Sequence, residues 1–279
     1  MLTPIRRLLL TLLVTASAAA GGCGGAHNRA AKPGEPLRLH VMTYNIHHGE
    51  GTDGKFDLER IARVIRAQEP DLVALQEVDV KTRRSGGVDQ AAELGRLTGM
   101  RVSFGRAIDY EGGQYGQAIL SRVPLEDFRL HVLPGDPQRE QRAAVASHVR
   151  PWGGKRPRVR FVGTHLHHLD ETDRLAQAAE INKLFTGDET PTILLGDMNA
   201  RPDSRTMGTL LAQWQDASAN GGADRTPGNT FPAGAPDRRI DYILLRPGGA
   251  WRVVEARVVE EPVASDHRPV AATLEWRGN

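Results

Sequence analysis

The stretch PTILLGDMNARP, residues 191–202, constrains the fold of this chain more than any other. Thr192, Ile193, Leu194 and Leu195 form a short run that reads as a fully buried strand. Gly196, Asp197, Met198 and Asn199 follow at its end. Polar groups just past the carboxyl end of a buried strand sit where α/β sheets keep their chemistry. Asp197 and Asn199 are two apart, so in extended chain they point the same way. One is an anion and general base, and the other is a neutral donor and acceptor. That pair suits a phosphate and a metal better than it suits a core.

The rest of the body repeats this pattern. Strands are expected over 37–46, 71–76, 101–106, 116–121, 126–132, 142–149, 158–166, 239–247, 251–260 and 267–276. Helices are expected near 58–69, 89–97, 170–185 and 204–214. In the first, Leu58, Ile61, Ala62 and Ile65 recur at helical spacing behind an Asp57 N-cap, and Pro70 ends it. In the third, Leu175, Ala178, Ala179 and Ile181 are the expected buried side. Strands outnumber helices and several links are of hairpin length. This argues for mixed sheets with helices outside, as one domain over 37–279.

The N-terminus differs from the body. Arg6 and Arg7 precede LLLTLLVTASAAAGG, a basic and then apolar stretch ending in small residues, which reads as an export signal over 1–22. The only cysteine, Cys23, follows directly and cannot form an internal disulfide. Its position resembles the lipobox of bacterial lipoproteins, so Cys23 is the expected lipidation site and the chain is expected to be membrane-anchored. Cleavage after ASAAA to give a soluble secreted protein is the alternative. Residues 23–36 read as a flexible tether. The net charge of +2 promises no strong field for nucleic acid.

Asn45, Glu77, His165, Asp197, Asn199 and Asp241 all stand at strand ends, and Asp266 and His267 adjoin the last strand. If the strands lie side by side, these groups converge on one rim. Converging carboxylates repel and need a cation, and oxygen ligands with few thiols suit Mg²⁺ or Mn²⁺. The histidines of HLHH, 165–168, have strand spacing that would also suit zinc, without supporting cysteines. The basic stretch RPWGGKRPRVR, with Trp152, reads as a solvated loop or as a hairpin tip touching a membrane or nucleic acid.

The segments TYNIHHG, LQEVD, YGQAILSR, GTHLHH, GDMNARP, RIDYIL and SDHRPV occur in this order. The set resembles the endonuclease/exonuclease/phosphatase superfamily, which includes deoxyribonuclease I. The resemblance implies a four-layer α/β sandwich, with two packed mixed sheets flanked by helices. It implies Glu77 as main metal ligand, with Asn45 and Asp266 beside it. It implies Asp197 as the residue that orients or deprotonates water, and Asn199 as a phosphate contact. His267 with its partner Asp241, and His165, complete the implied catalytic set.

Three positions depart from the family pattern. Where some nucleases carry a basic residue two after the glutamate, this chain has Asp79, and Arg83 or Arg84 is the candidate replacement. The acid that pairs with the histidine matched by His165 has Gln114 or Glu111 as its nearest candidates. His47 stands where abasic-site enzymes carry an acid, where it could touch the metal or contact phosphate. Arg142 and Tyr115 are candidate substrate contacts, together with Asn45, Arg84 and Asn199.

The expected function is metal-dependent hydrolysis of phosphate esters, by a phosphodiesterase or phosphatase acting as a monomer. A phospholipid-type or small phosphodiester substrate is slightly favoured. A secreted nuclease is the alternative, and an inactive lipid-anchored binding module the further one.

Overall fold

The computed structural model describes residues 35–218 and 228–278. The expected signal segment, Cys23 and almost all of the tether lie outside the described residues. The body is a four-layer sandwich, as expected. One sheet has the order β11-β12-β1-β2-β4-β3. It is built from β1 (Leu37–Asn45), β2 (Leu72–Val80), β3 (Arg101–Tyr110), β4 (Gly113–Ser121), β11 (Trp251–Val258) and β12 (Val270–Trp276). The other has the order β5-β6-β7-β8-β10-β9. It contains β5 (Glu126–Val132), β6 (Ala143–Val149), β7 (Val159–His165), β8 (Thr192–Asp197), β9 (Gln215–Asp216) and β10 (Asp241–Arg246). The first sheet is covered by α1 (Leu58–Ala67) and α2 (Gln90–Thr98), and the second by α3 (Glu171–Phe185) and α4 (Arg205–Leu211).

Both sheets are mixed. β1 pairs parallel with β2, and β7 parallel with β8. The parallel strands are apolar on both faces because both faces are covered. In β8, Ile193 and Leu195 pack between the sheets while Leu194 packs under the helices. In β1, Leu39 and Val41 face the other sheet while Met42 and Tyr44 face α1 and α2. Each such buried side chain contributes roughly 1.5–3 kcal/mol of transfer free energy.

The helices start where their caps stand. Asp57 accepts from the Arg60 amide at 2.8 Å, Asp89 from Ala92 at 2.9 Å, and Ser204 from Met207 at 3.2 Å. The expected buried side of α3 needs correction. Ala179 is exposed and Leu175 half-buried, whereas Gln177, Ala178, Ile181 and Phe185 are buried. Gln177 turns inward because its amide has partners there. It accepts from the His167 amide at 2.9 Å and donates to the Pro134 carbonyl at 3.1 Å. A polar residue on the buried face hides the apolar periodicity. Trp152 also turns inward. It is 3% exposed and donates its indole N–H to the Arg38 carbonyl at 2.9 Å, so it is a core residue and not a hairpin tip.

Gly196 lets β8 lie against β7 just before the site. Its φ is +152°, and a Cβ there would meet the Thr164 carbonyl oxygen at 1.9 Å. No small shift relieves a contact with backbone. Gly196→Ala is therefore expected to destabilise the fold by about 2 kcal/mol or more, measured by urea unfolding. An unchanged midpoint would contradict this placement.

Candidate active site

Strand parity explains most of the site. Residues of β8 that face the other sheet run Ile193, Leu195, Asp197, and those of β10 run Leu245, Ile243, Asp241. The pattern is apolar in the core and acidic where each strand reaches the rim. His165, at the end of β7, is in register with Asp197, and Asp197 is in register with Asp241. Asn45 ends β1 in register with Gln76.

Glu77 does not follow parity. Val73 and Leu75 face the helices, so regular alternation would send Glu77 there as well. A bulge intervenes: the β2–β4 register shifts between Leu75 and Val78, and Glu77 takes φ +58°. Two residues then oppose one, and the carboxylate is re-aimed toward the rim. Asn199, at φ +46°, is a second left-handed residue in the site. Such conformations cost of order 1–3 kcal/mol and concentrate at functional positions.

One amide ties these groups together. Asn45 Nδ2 donates to Glu77 Oε1 at 3.0 Å and to Asp197 Oδ2 at 3.2 Å. Its Oδ1 accepts from the His47 amide at 3.1 Å. Asp197 Oδ1 accepts from the Asn199 amide at 2.8 Å. Asn199 Nδ2 reaches His165 Nε2 and the Leu166 carbonyl, both at 3.0 Å. His165 Nε2 therefore faces both the Asn199 amide and, at 3.4 Å, Asp197 Oδ2. Burial holds His165 well below the usual histidine range, and Arg142, His267 and neighbouring histidines add to it.

His267 Nδ1 lies 3.0 Å from Asp241 Oδ2, and its Nε2 lies 3.6 Å from Asp197 Oδ2. Burial disfavours the charged ring, but Asp241 and Asp197 outweigh it and hold His267 above its ordinary range. Burial pushes the Asp197 carboxyl up and Asp241 adds to that, while His267 and the donors from Asn199 and Asn45 oppose it. A carboxylate made more basic in this way is suited to accept a proton from water.

These residues line a pocket of about 360 Å³. Glu77, Asp197, Asp266, His165, His267 and Asn199 line one part of it, and Arg84, Tyr110, Tyr115 and Arg142 another. Asn45 and Asp241 are hydrogen-bonded to lining residues, to Glu77 and Asp197 and to His267 respectively. Glu77 and Asp266 make no ion pair among the described residues. Unneutralised carboxylates with oxygen donors and no thiol fit a hard divalent cation. Asp197, Asp241 and His267 also offer ligand atoms within 4.8 Å of one another and could hold a metal. As placed, however, Asp241 Oδ2 and His267 Nδ1 are spent on each other.

Other candidates are placed differently. Gln114 lines a separate cleft, and Glu111 accepts from the Arg84 amide at 2.9 Å, so neither pairs with His165. His47 Nδ1 lies 3.2 Å from the Glu50 carbonyl, and the residue is not in the pocket lining. His167 turns away from His165: its Nδ1 accepts from the Leu169 and Asp170 amides, both at 3.2 Å. No group of zinc ligands built on the HLHH histidines occurs among the described residues. Arg84, not Arg83, supplies the charge near Asp79, with Nε 2.7 Å and Nη2 2.9 Å from that buried carboxylate.

Several lining residues were not singled out by the sequence as substrate contacts. His168 lines the pocket, and its Nδ1 meets Arg142 Nη2 at 3.0 Å, which leaves the ring proton on Nε2. The Phe231 ring lies 4.8 Å from the His267 ring, tilted at 54° to it. Glu140, Ile108 and Tyr110 complete the lining. The run HLHH carried a signal for His168, whereas Phe231 lies in a loop without periodicity.

The chain is 26% identical over 243 residues to the uncharacterised protein YbhP of Escherichia coli, covering 84% of this chain and 95% of that one. It is similar to the solved endonuclease/exonuclease/phosphatase of Beutenbergia cavernae, with TM-score 0.70, 25% identity, and coverage of 87% of this chain and 72% of that one. It shares its fold with a mannosyl-6-phosphatase of Bacteroides thetaiotaomicron, with TM-score 0.67, 19% identity, and coverage of 85% and 99%. The model of the endonuclease/exonuclease/phosphatase family matches residues 42–267, from β1 through His267. The chain belongs to that family of phosphate ester hydrolases, which typically depend on a divalent metal.

Proposed function

We propose that this protein hydrolyses small phosphodiesters with the help of Mg²⁺ or Mn²⁺. The observation that carries this reading is the convergence of Glu77, Asp197, Asn199, Asp266 and His267 around one pocket. Glu77 and Asp266 are the residues that would hold the ion. When bound, such an ion offsets charge on the phosphoryl oxygens. Asp197, made basic by burial, takes a proton from the attacking water. Asp241 fixes the His267 tautomer, so His267 Nε2 can donate to a phosphoryl or leaving-group oxygen. Arg142 lines the pocket, held by Glu140 at 3.2 Å and His168 at 3.0 Å, and its positive charge would favour a phosphate there.

A diester is favoured over a monoester by the surroundings of His267. A second cleft, containing Arg174, Arg201 and Arg238, shares His168, Asn199, Phe231 and His267 with the first. A reaction centre between two clefts leaves room for one ester arm on each side. The pocket size and the net charge of +2 support a small substrate over a nucleic acid duplex.

Hydrolysis of bis(p-nitrophenyl) phosphate in Mg²⁺ or Mn²⁺ tests the reading. Asp197→Asn and His267→Ala are each expected to lower kcat by ~10²-fold or more. EDTA is expected to abolish the wild-type rate. Equal rates for wild type and an Asp197→Ala, His267→Ala double variant would leave the inactive binding module as the better account.

We also propose that Cys23 carries a lipid that tethers the domain to a membrane after export. The basic, apolar and small-residue order before it supports this. Among the described residues, no helix is long and apolar enough to cross a membrane. Expressed in a bacterial host, the full chain is expected in the membrane fraction and Cys23→Ser in the soluble fraction. Identical fractionation would contradict the anchor.

A further inference from the structure

One wall of the pocket is left over by the phosphate chemistry. Arg84 is gripped by both oxygens of Asp79, which is fully buried. A two-point grip fixes the plane of the guanidinium as well as its position. That plane sits over the Tyr110 ring, 4.7 Å from its centroid, and 5.5 Å from the Tyr115 centroid. The two tyrosine rings are 6.2 Å apart. Tyr115 is buried beneath, whereas Tyr110 keeps 37% of its surface exposed. All three side chains line the pocket that also holds Asp197 and His267.

The hairpin that carries this wall is longer than the sequence indicated. The strand expected to end at Arg106 continues to Tyr110, and the register with β4 shifts between Arg106 and Ile108. The extension brings Tyr110 to the mouth of the pocket. Polar edges lie beside the flat face. Arg142 and Glu140 line the same pocket, with Arg142 Nη1 3.2 Å from Glu140 Oε1 in an ion pair. A flat stacking surface next to a charged, polar wall matches a planar group with polar edges. An acyl chain needs a continuous aliphatic lining, and Ile108 is the only aliphatic one among the described residues that line this pocket.

Resting on the phosphoester reading above, we propose that the Arg84–Tyr110 wall binds a planar heteroaromatic group joined to the scissile phosphate. The substrate class is therefore a nucleotide-like ester, not a phospholipid head group.

The test compares two ligands with the same sugar and phosphate. Adenosine 5′-monophosphate and ribose 5-phosphate are titrated into the full protein by calorimetry in Mg²⁺, and the recovered ligand is checked for turnover. The account expects adenosine 5′-monophosphate to bind ~10-fold more tightly, the size of one base–aromatic stack. Tyr110→Ala is expected to remove that difference without moving the affinity for ribose 5-phosphate. Tyr110→Trp is expected to restore it, with unchanged melting temperatures as the folding control. Equal affinities in wild type, binding of neither ligand, or a parallel loss for both in Tyr110→Ala would overturn the proposal. A base preference without any diester hydrolysis would overturn the phosphoester reading alone.

Discussion

A single side-chain amide joins the two halves of this protein where its chemistry lies. Asn45 Nδ2 donates to Glu77 on its own sheet and to Asp197 on the other. The two carboxylates belong to different sheets, and without a shared donor they would face each other with only repulsion between them. The bond sets the spacing of the rim, and the apolar layer of Leu39, Val41, Leu195 and Ile243 beneath it sets the spacing of the sheets. Ser265 adds a third strut by donating to the Asn45 carbonyl at 2.8 Å, which brings Asp266 and His267 in from the loop before β12.

The rest of the site hangs from Asp197. It is flanked in register by His165 on one side and Asp241 on the other. Asn199 closes the arrangement by holding both the Asp197 carboxylate and the His165 ring. In this geometry both Asn199 amide hydrogens are committed to protein acceptors. Its part is then to fix His165, beyond any contact it makes with phosphate. Burial keeps His165 a neutral ring although Asp197 Oδ2 lies 3.4 Å from its Nε2, unlike His267, which two carboxylates hold in its charged form.

Much of this was legible in the sequence because strands obey a period of two. Ile193, Leu195 and Asp197 read as one face before any coordinates are known, and so do the apolar runs that end at Asn45 and His165. Mixed sheets follow from the strand count, whereas their packing as two layers came from the family resemblance, and the structure gives six strands to each. What alternation cannot reveal is a bulge. Glu77 lies on the wrong parity and reaches the site only through the irregularity after Leu75; its assignment came from family resemblance. Side-chain pairing over distance was equally hidden. Asp79 looked like the loss of a basic residue, yet it recruits the guanidinium of Arg84 to the site from five positions away. Phe231 and Tyr110 were missed because a loop and a hairpin tip carry no periodic signal. Gln177 was not among the residues expected to be buried because hydrogen bonding, not hydrophobicity, buries it.

The central claim is that one divalent ion organises the carboxylates at this rim, with Glu77 as its main ligand. Electron paramagnetic resonance of added Mn²⁺ measures that directly. Wild type is expected to bind one ion per chain, and Glu77→Gln, with an unchanged circular dichroism spectrum, to bind it at least ~10-fold more weakly. Equal Mn²⁺ affinity in the two proteins would contradict the account.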